Sequence, residues 1–325
     1  MKYARIWRYI ADTPWAILPG KLDAIVLFMT ARSAGLSALE EDLAAFTGRD
    51  SPQSSARGSL AILPMRGVIA HRAGMLEDSS GGVSTETFAK AYRQLMADPN
   101  ISTILLDVDS PGGTVAGIHE LALEMIALRG TKKVVAIANS TMASAAYWLC
   151  AAAADEIVAI PSATVGSIGV ASVYVNPAKQ LEMEGVELEV FTSAEHKVDS
   201  LGLGPLSDDA KARRKARVDE AGAWFRSDIA KGRGLTVAQV RSQFGEGAIF
   251  GATDGKAAGL VDRIATFEDT VARLLGKSGA RAGGMRAEGD DPALEALVPS
   301  EEDAALLAAA NAAAEEDLRR RFERF

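Results

Sequence analysis

The sequence predicts an α/β fold: a largely parallel sheet flanked by helices, with an N-terminal arm and a C-terminal helical tail. Two observations carry this. From Ser59 onward, strand-length apolar runs alternate with helical patterns, the order that builds parallel sheets through helical crossovers. Those runs are rich in β-branched residues and apolar throughout, as strands are when both faces of their sheet are covered. The 325 residues, 48% apolar and 24% charged, suffice for two ordinary domains or one large α/β domain with appendages and exclude a wholly disordered chain.

Residues 1–58 read as an arm and linker, with helical stretches expected at 21–32 and 36–46 and a polar connection from Asp50 to Gly58. The domain is expected over 59–275. Its strands are expected at Leu60–Leu63, Thr103–Val108, Lys133–Ala138, Glu156–Ile160, Ile168–Val173, Glu187–Thr192 and Leu260–Ile264. Helical patterns occupy Thr85–Ala97, Val115–Arg129, Met142–Ala154, Pro177–Glu184, Thr236–Phe244 and Asp254–Gly259. Asp208–Lys231 forms a long helix whose Lys211, Arg213, Arg214, Lys215 and Arg217 face solvent. Five glycines make 276–289 a flexible linker. The 290–325 tail is Ala-rich, acidic at its start and Arg-rich at its end, as a helix dipole favours.

Composition removes several classes of function. The single cysteine, Cys150, excludes a disulfide framework and a cysteine-based zinc cluster. Three histidines, His71, His119 and His196, argue against a histidine-rich metal site. Of the net charge of −8, the segment Glu288–Phe325 holds 11 acidic and 4 basic residues. The domain is therefore near neutral and offers no basic face to nucleic acid. The most apolar early stretch, Leu22–Met29, is interrupted by Asp23, whereas a bilayer span needs about 20 apolar residues. Pro14, Pro19, Lys21 and Asp23 break the pattern of an export signal. A cytoplasmic protein with no membrane partner is expected.

Three clusters at strand ends carry chemistry. Asp109-Ser110-Pro111-Gly112-Gly113 follows a strand, and its glycines allow bare N–H groups to face a ligand. Alone it is equally a plain turn. Ser144, in Met142-Ala143-Ser144-Ala145-Ala146-Tyr147, falls at a helix start, where free N–H groups suit a developing oxyanion. Alone it is a small polar residue in an Ala-rich helix, with Ser140 or Thr141 as the cap. Ser193-Ala194-Glu195-His196-Lys197 supplies candidate bases; a lysine serves as one only when desolvated, and most lysines are simply exposed. A Ser-His-Asp arrangement through His119 or His196 stays open, although no order of residues favours it.

In this order and spacing, those clusters join Thr164-Val165-Gly166-Ser167-Ile168-Gly169-Val170, Phe250-Gly251 and Gly259-Leu260-Val261-Asp262. The set resembles the signal peptide peptidase A family of Ser-Lys peptidases over roughly 58–265. The resemblance implies a ClpP/crotonase-type fold, Ser144 as nucleophile and Lys197 as general base. It further implies an oxyanion hole from the backbone N–H of Gly113 (or Gly112) and of Ala145. Ser167 takes the part of the family's lysine-orienting serine. No metal or organic cofactor is implied. Two departures stand out: Ser-Gly-Gly is replaced by Ser144-Ala145-Ala146, and the family's usual membrane anchor is not expected here.

Single-copy members of the family can complete the dyad across a subunit boundary, and this chain has one copy of each motif, so the resemblance implies a homo-oligomer. The arm around Pro14-Trp15-Ala16-Ile17-Leu18, the peptidase domain and the charged tail together resemble the prohead proteases of tailed phages. The expected substrates are then polypeptides, namely scaffold or capsid proteins cleaved during head maturation in the host cytoplasm. The alternatives are a peptide-degrading cytoplasmic peptidase and a catalytically inactive scaffold- or portal-associated protein. A crotonase-type acyl-CoA enzyme would need acid-base carboxylates that the sequence does not supply.

Overall fold

The computed structural model describes residues 13–26, 54–72, 82–199 and 204–276, apart from positions 24, 81, 175, 177, 184 and 188 where these fall within those spans. The expected arm helices fall mainly, and the linker and tail almost wholly, outside the described residues. Where the arm is described, residues 19–23 are helical. Chain order runs β1 (Trp15–Ile17), β2 (Ser55–Arg57), β3 (Leu60–Arg66), β4 (Ile69–Ala70), β5 (Val83–Ser84), α1 (Thr85–Ala97), β6 (Thr103–Ser110) and β7 (Gly112–Thr114). It continues through α2 (Ile118–Ala127), β8 (Lys133–Ala143), α3 (Ala145–Ala153), β9 (Glu156–Ala159), β10 (Thr164–Gly166) and α4 (Ala178–Met183). After a 3-10 turn at Glu195–Val198 come α5 (Asp208–Arg233), α6 (Val237–Gln243), β11 (Ile249–Gly251), α7 (Ala252–Ala257), β12 (Arg263–Ile264) and α8 (Phe267–Leu274).

The main sheet has a parallel centre, β3-β6-β8, with β9 and β10 both parallel to β8. Antiparallel β2 and β11 lie at its edges. Period-two alternation sends alternate residues into two cores. Leu63, Met65, Ile104, Leu106, Val134 and Ala136 face the cluster built with α1, α2, α3 and α5. Leu60, Ile62, Leu105, Val135, Ile137 and Val158 face Val271 of α8. Both faces are covered, which explains why the strands read as unbroken apolar runs. Here the fold class expected from sequence stands: α/β, with a largely parallel sheet flanked by helices.

Helix α1 spans the expected residues. Ser84 caps it, its Oγ accepting from the Thr87 N–H at 3.4 Å, and Phe88, Tyr92 and Met96 repeat every four residues on the buried side. Two expected strands did not form. Ile168–Val173 contributes only an isolated bridge from Ala171 to Trp15, and the described residues of Glu187–Thr192 are exposed without strand pairing. An apolar run becomes a strand only where a sheet edge receives it. The edge beside β8 is taken by Thr164–Gly166 instead. Among the described residues, no helix is long and apolar enough to cross a membrane.

A second, smaller sheet has the order β1-β7-β4-β5. Its β7 is the Gly112-Gly113-Thr114 stretch that the sequence presents as a turn. β1 pairs with it antiparallel, with Trp15 opposite Thr114, Ala16 opposite Gly113 and Ile17 opposite Gly112.

Candidate active site

β8 is longer than expected and runs to Ala143, so the following helix starts at Ala145 rather than Met142. Ser144 is the joint between them. Its φ of 54° and ψ of −119° lie outside the regions that non-glycine residues favour, at a cost of about 1–3 kcal/mol. The turn is clamped on both sides: the Ser144 N–H donates to Gly166 O at 2.8 Å, and the Trp148 N–H to Ser144 O at 2.9 Å. A strained strand-to-helix turn of this kind projects its side chain ahead of the helix, as in nucleophile elbows. Ser144 is 0% exposed, and its Oγ has no hydrogen-bond partner. Among the described residues the adjacent Ala145 N–H, at the positive end of α3, has no acceptor either.

The two glycines lie against this joint. Gly112 has φ +99°, and a Cβ there would lie 2.3 Å from Ala16 O, 2.9 Å from Ser144 Cβ and 3.0 Å from Ala145 N. The arm's carbonyl, the serine and the helix N-terminus thus converge on one glycine. The Gly112 N–H is directed to Ser110 Oγ at 3.2 Å, and that hydroxyl donates to Gly67 O at 2.7 Å. The Gly113 N–H behaves differently. Flanking bonds from the Leu18 N–H to Pro111 O (2.9 Å) and from the Val115 N–H to Pro14 O (3.1 Å) fix the antiparallel register. Hydrogen-bonded pairs alternate along such a ladder, so Gly113 and Ala16 exchange both bonds, and the Gly113 N–H donates to Ala16 O.

Of the remaining candidates, the chain brings Ser167 to the neighbourhood of Ser144 but not Lys197. Ser167 is nearly buried at φ 54°, and its N–H donates to Ala248 O at 2.7 Å. It follows Gly166, whose carbonyl holds Ser144, so it sits on the same side of the site. Lys197 lies exposed on the 3-10 turn and its amine has no partner among the described residues. It therefore touches neither Ser144 nor Ser167 within the protomer. The turn itself is fastened to α5, Arg213 approaching His196 Nδ1 at 2.9 Å and pairing with Asp199 and Asp209.

The histidines are committed elsewhere. His119 Nδ1 lies 2.6 Å from Asp228, which also accepts from the Trp148 indole at 3.0 Å, and His119 stacks on Trp224. His71 Nδ1 meets Thr85 Oγ1 at 3.1 Å. None reaches Ser144 Oγ, which disposes of a Ser-His-Asp arrangement within this chain. Behind the serine, α3 is buried along its whole length. Burial pushes the Cys150 thiol up, well away from thiolate formation, and raises the Tyr147 phenol, which donates to Leu260 O at 3.0 Å.

Sequence reasoning missed Asp228, Ser110 and Ala16. Asp228 is one carboxylate in a helix dense with charge, and nothing local marks it as buried. Ser110 sits inside a recognised motif, yet its task of tying down the Gly112 N–H shows only in three dimensions.

Comparisons with known proteins place these residues in context. The family model of peptidase family S49 matches residues 127–281. The chain is 34% identical to the head-tail preconnector protein GP5 of Enterobacteria phage P21, over 65% of this chain and 42% of that protein. It is 32% identical to the capsid assembly protease C of Escherichia phage lambda, over 70% of this chain and 52% of that one. To the protein named Putative protease slr0021, of Synechocystis, it is 34% identical, over 58% of this chain and 69% of the relative. The chain thus spans about half the length of the two phage relatives. A ClpP1 mutant from Listeria monocytogenes aligns over 64% of this chain and 92% of its own, at a TM-score of 0.39 and 16% identity.

Proposed function

The chain belongs to peptidase family S49, and on that footing we propose that it is a serine endopeptidase of the Ser-Lys type that processes scaffold or capsid proteins during phage head maturation. One observation carries the reading: a fully buried, unpartnered Ser144 Oγ on a strained elbow, beside the open Ala145 N–H and against Gly112. A buried hydroxyl left unbonded costs about 1–3 kcal/mol, a cost a protein tolerates where the group has work to do. The name of one relative, the capsid assembly protease C of phage lambda, supports that substrate class.

In this reading Ser144 Oγ attacks the scissile carbonyl and gives its proton to Lys197 Nζ. The N–H groups of Gly113 and Ala145 hold the oxyanion, a contribution of about 10²–10³ in rate per donor. Lys197 passes the proton to the leaving amine, and water then hydrolyses the acyl-enzyme. No metal or organic cofactor takes part. Ser167, beside Gly166, orients the lysine once it arrives.

Lys197 arrives from a neighbouring copy. Its turn is exposed in this chain and follows a segment with Met183 87% and Phe191 90% exposed. Large exposed apolar side chains mark surfaces that a partner covers, and covering would remove the lysine from water as its chemistry requires. The test is complementation. Ser144→Ala and Lys197→Ala chains are each expected to be inactive, and their mixture to regain cleavage of an unfolded polypeptide. Lack of recovery, with both variants folded and assembled, would remove the shared dyad.

A further inference from the structure

We propose that residues Pro14–Leu18 are a built-in occupant of the substrate groove, a strand that polypeptide must displace before Ser144 can act on it. The inference rests on the peptidase reading above and adds regulation to that site. β1 lies between two edges and is bonded to both. On one side it pairs with Gly112–Thr114; on the other, Trp15 exchanges N–H and carbonyl bonds with Ala171, both at 2.8 Å. A peptide recognised by strand addition makes these same main-chain bonds to a sheet edge. The arm is thus seated as an extended substrate would be, antiparallel to the glycine strand.

The register is specific. Ala16 is the residue whose carbonyl accepts from the Gly113 N–H, one of the two donors assigned to the oxyanion, and its oxygen converges with Ser144 Cβ and Ala145 N on Gly112. Its methyl side chain is fully buried, so the centre of the groove takes a small residue. Trp15, Ile17 and Leu22 are buried together, with Val68 and Val173 packed against them. These anchors flank the Ala16–Ile17 bond on both sides. They hold the strand whether or not that bond is intact, which marks it as a resident plug rather than a passing substrate. Because the arm is tethered, its effective concentration at the groove is on the order of millimolar or higher, and the apparent affinity for substrate falls by the fraction of molecules left open.

The test uses the full chain and its Trp15→Ala/Ile17→Ala variant, which loses the anchors without altering Gly112, Gly113 or Ser144. The expected result is a KM for fluorescently labelled unfolded casein lowered about tenfold with kcat unchanged, as release of an internal competitor requires. A synthetic peptide with the sequence of residues 13–18 is expected to inhibit the variant competitively. Unchanged KM with no inhibition by the peptide, while a fluorophosphonate still labels Ser144, overturns the plug and leaves the peptidase reading standing. Absence of labelling in parent and variant alike sinks the peptidase reading instead. Two measurements on the parent do not depend on the variant folding. A peptidyl phosphonate should strip hydrogen-exchange protection from the amides of residues 15–18, and retained protection overturns the proposal. So does loss of residues 1–16 from the parent but not from Ser144→Ala, which would make the arm a substrate.

Discussion

Gly112 has no space for a methyl group. At φ +99° a side chain is strained on backbone grounds alone, and its Cβ would press on Ala16 O, Ser144 Cβ and Ala145 N. Gly112→Ala must therefore move Ser144, the Ala145 N–H or the arm. If Ser144 acts as proposed, the rate of its labelling by a fluorophosphonate should fall about 10²–10³-fold, the typical loss when one oxyanion contact is spoiled, and stability in urea should fall too, by the roughly 1–3 kcal/mol that overpacking costs. At this scale much of the candidate site was legible. Ser144 and the glycine pair stood at strand ends in recognisable motifs, where small residues are a chemical requirement. Asp228 and Ala16 were not legible, because what singles them out is burial against residues far away in sequence.

Between elements, α3 and α5 approach each other closely. A Cβ on Gly232 would come 1.9 Å from Ala151 O, so the two helices touch backbone to backbone. All nine residues of α3 are buried, and its alanines permit that contact. Gly232→Ala should cost about 1–3 kcal/mol, as overpacking does, despite alanine's better helix propensity; urea unfolding would read it. Helix α1 was foreseen residue for residue because its apolar spacing and its cap both agree with the fold. The strands expected at Ile168–Val173 and Glu187–Thr192 failed for a different reason. Their composition suits a strand, but pairing is decided by which edge is free, and β10 had taken it. β7 was hidden in the opposite way, since two glycines carry no strand propensity and are extended only because β1 and β4 pair with them.

Over the whole domain, Asp262 ties distant parts of the chain together. Its carboxylate accepts two bonds from Arg233 at 2.7 Å and one from the Ile157 N–H at 2.7 Å. Burial pushes its pKa up, but these bonds outweigh burial and hold it below the usual carboxylate range. Glu156 is likewise held down, against burial, by Arg263 and Arg273. A depressed folded-state pKa stabilises above the unfolded value, about 3.9 for aspartate, and that stability is lost as pH falls through the folded value. Stability should thus decline on acidification below about pH 4. Asp262→Asn should lower it at neutral pH by about 1 kcal/mol, discounted for partial exposure, and flatten the acid limb. Urea midpoints across pH 2–7 would test both. The Gly259–Asp262 motif was visible in sequence, but its partners were not. The assembly proposed to bring Lys197 to a serine rests on family resemblance, since no residue pattern in a single chain encodes a neighbour's position.

Strand β1 also sets an order of events during synthesis. Trp15–Ile17 leaves the ribosome long before Gly113 and Ala171 exist to receive it, and contacts so remote along the chain close late. Because Trp15 also bridges Ala171, β1 cannot be held on both sides until the chain has been made past that residue.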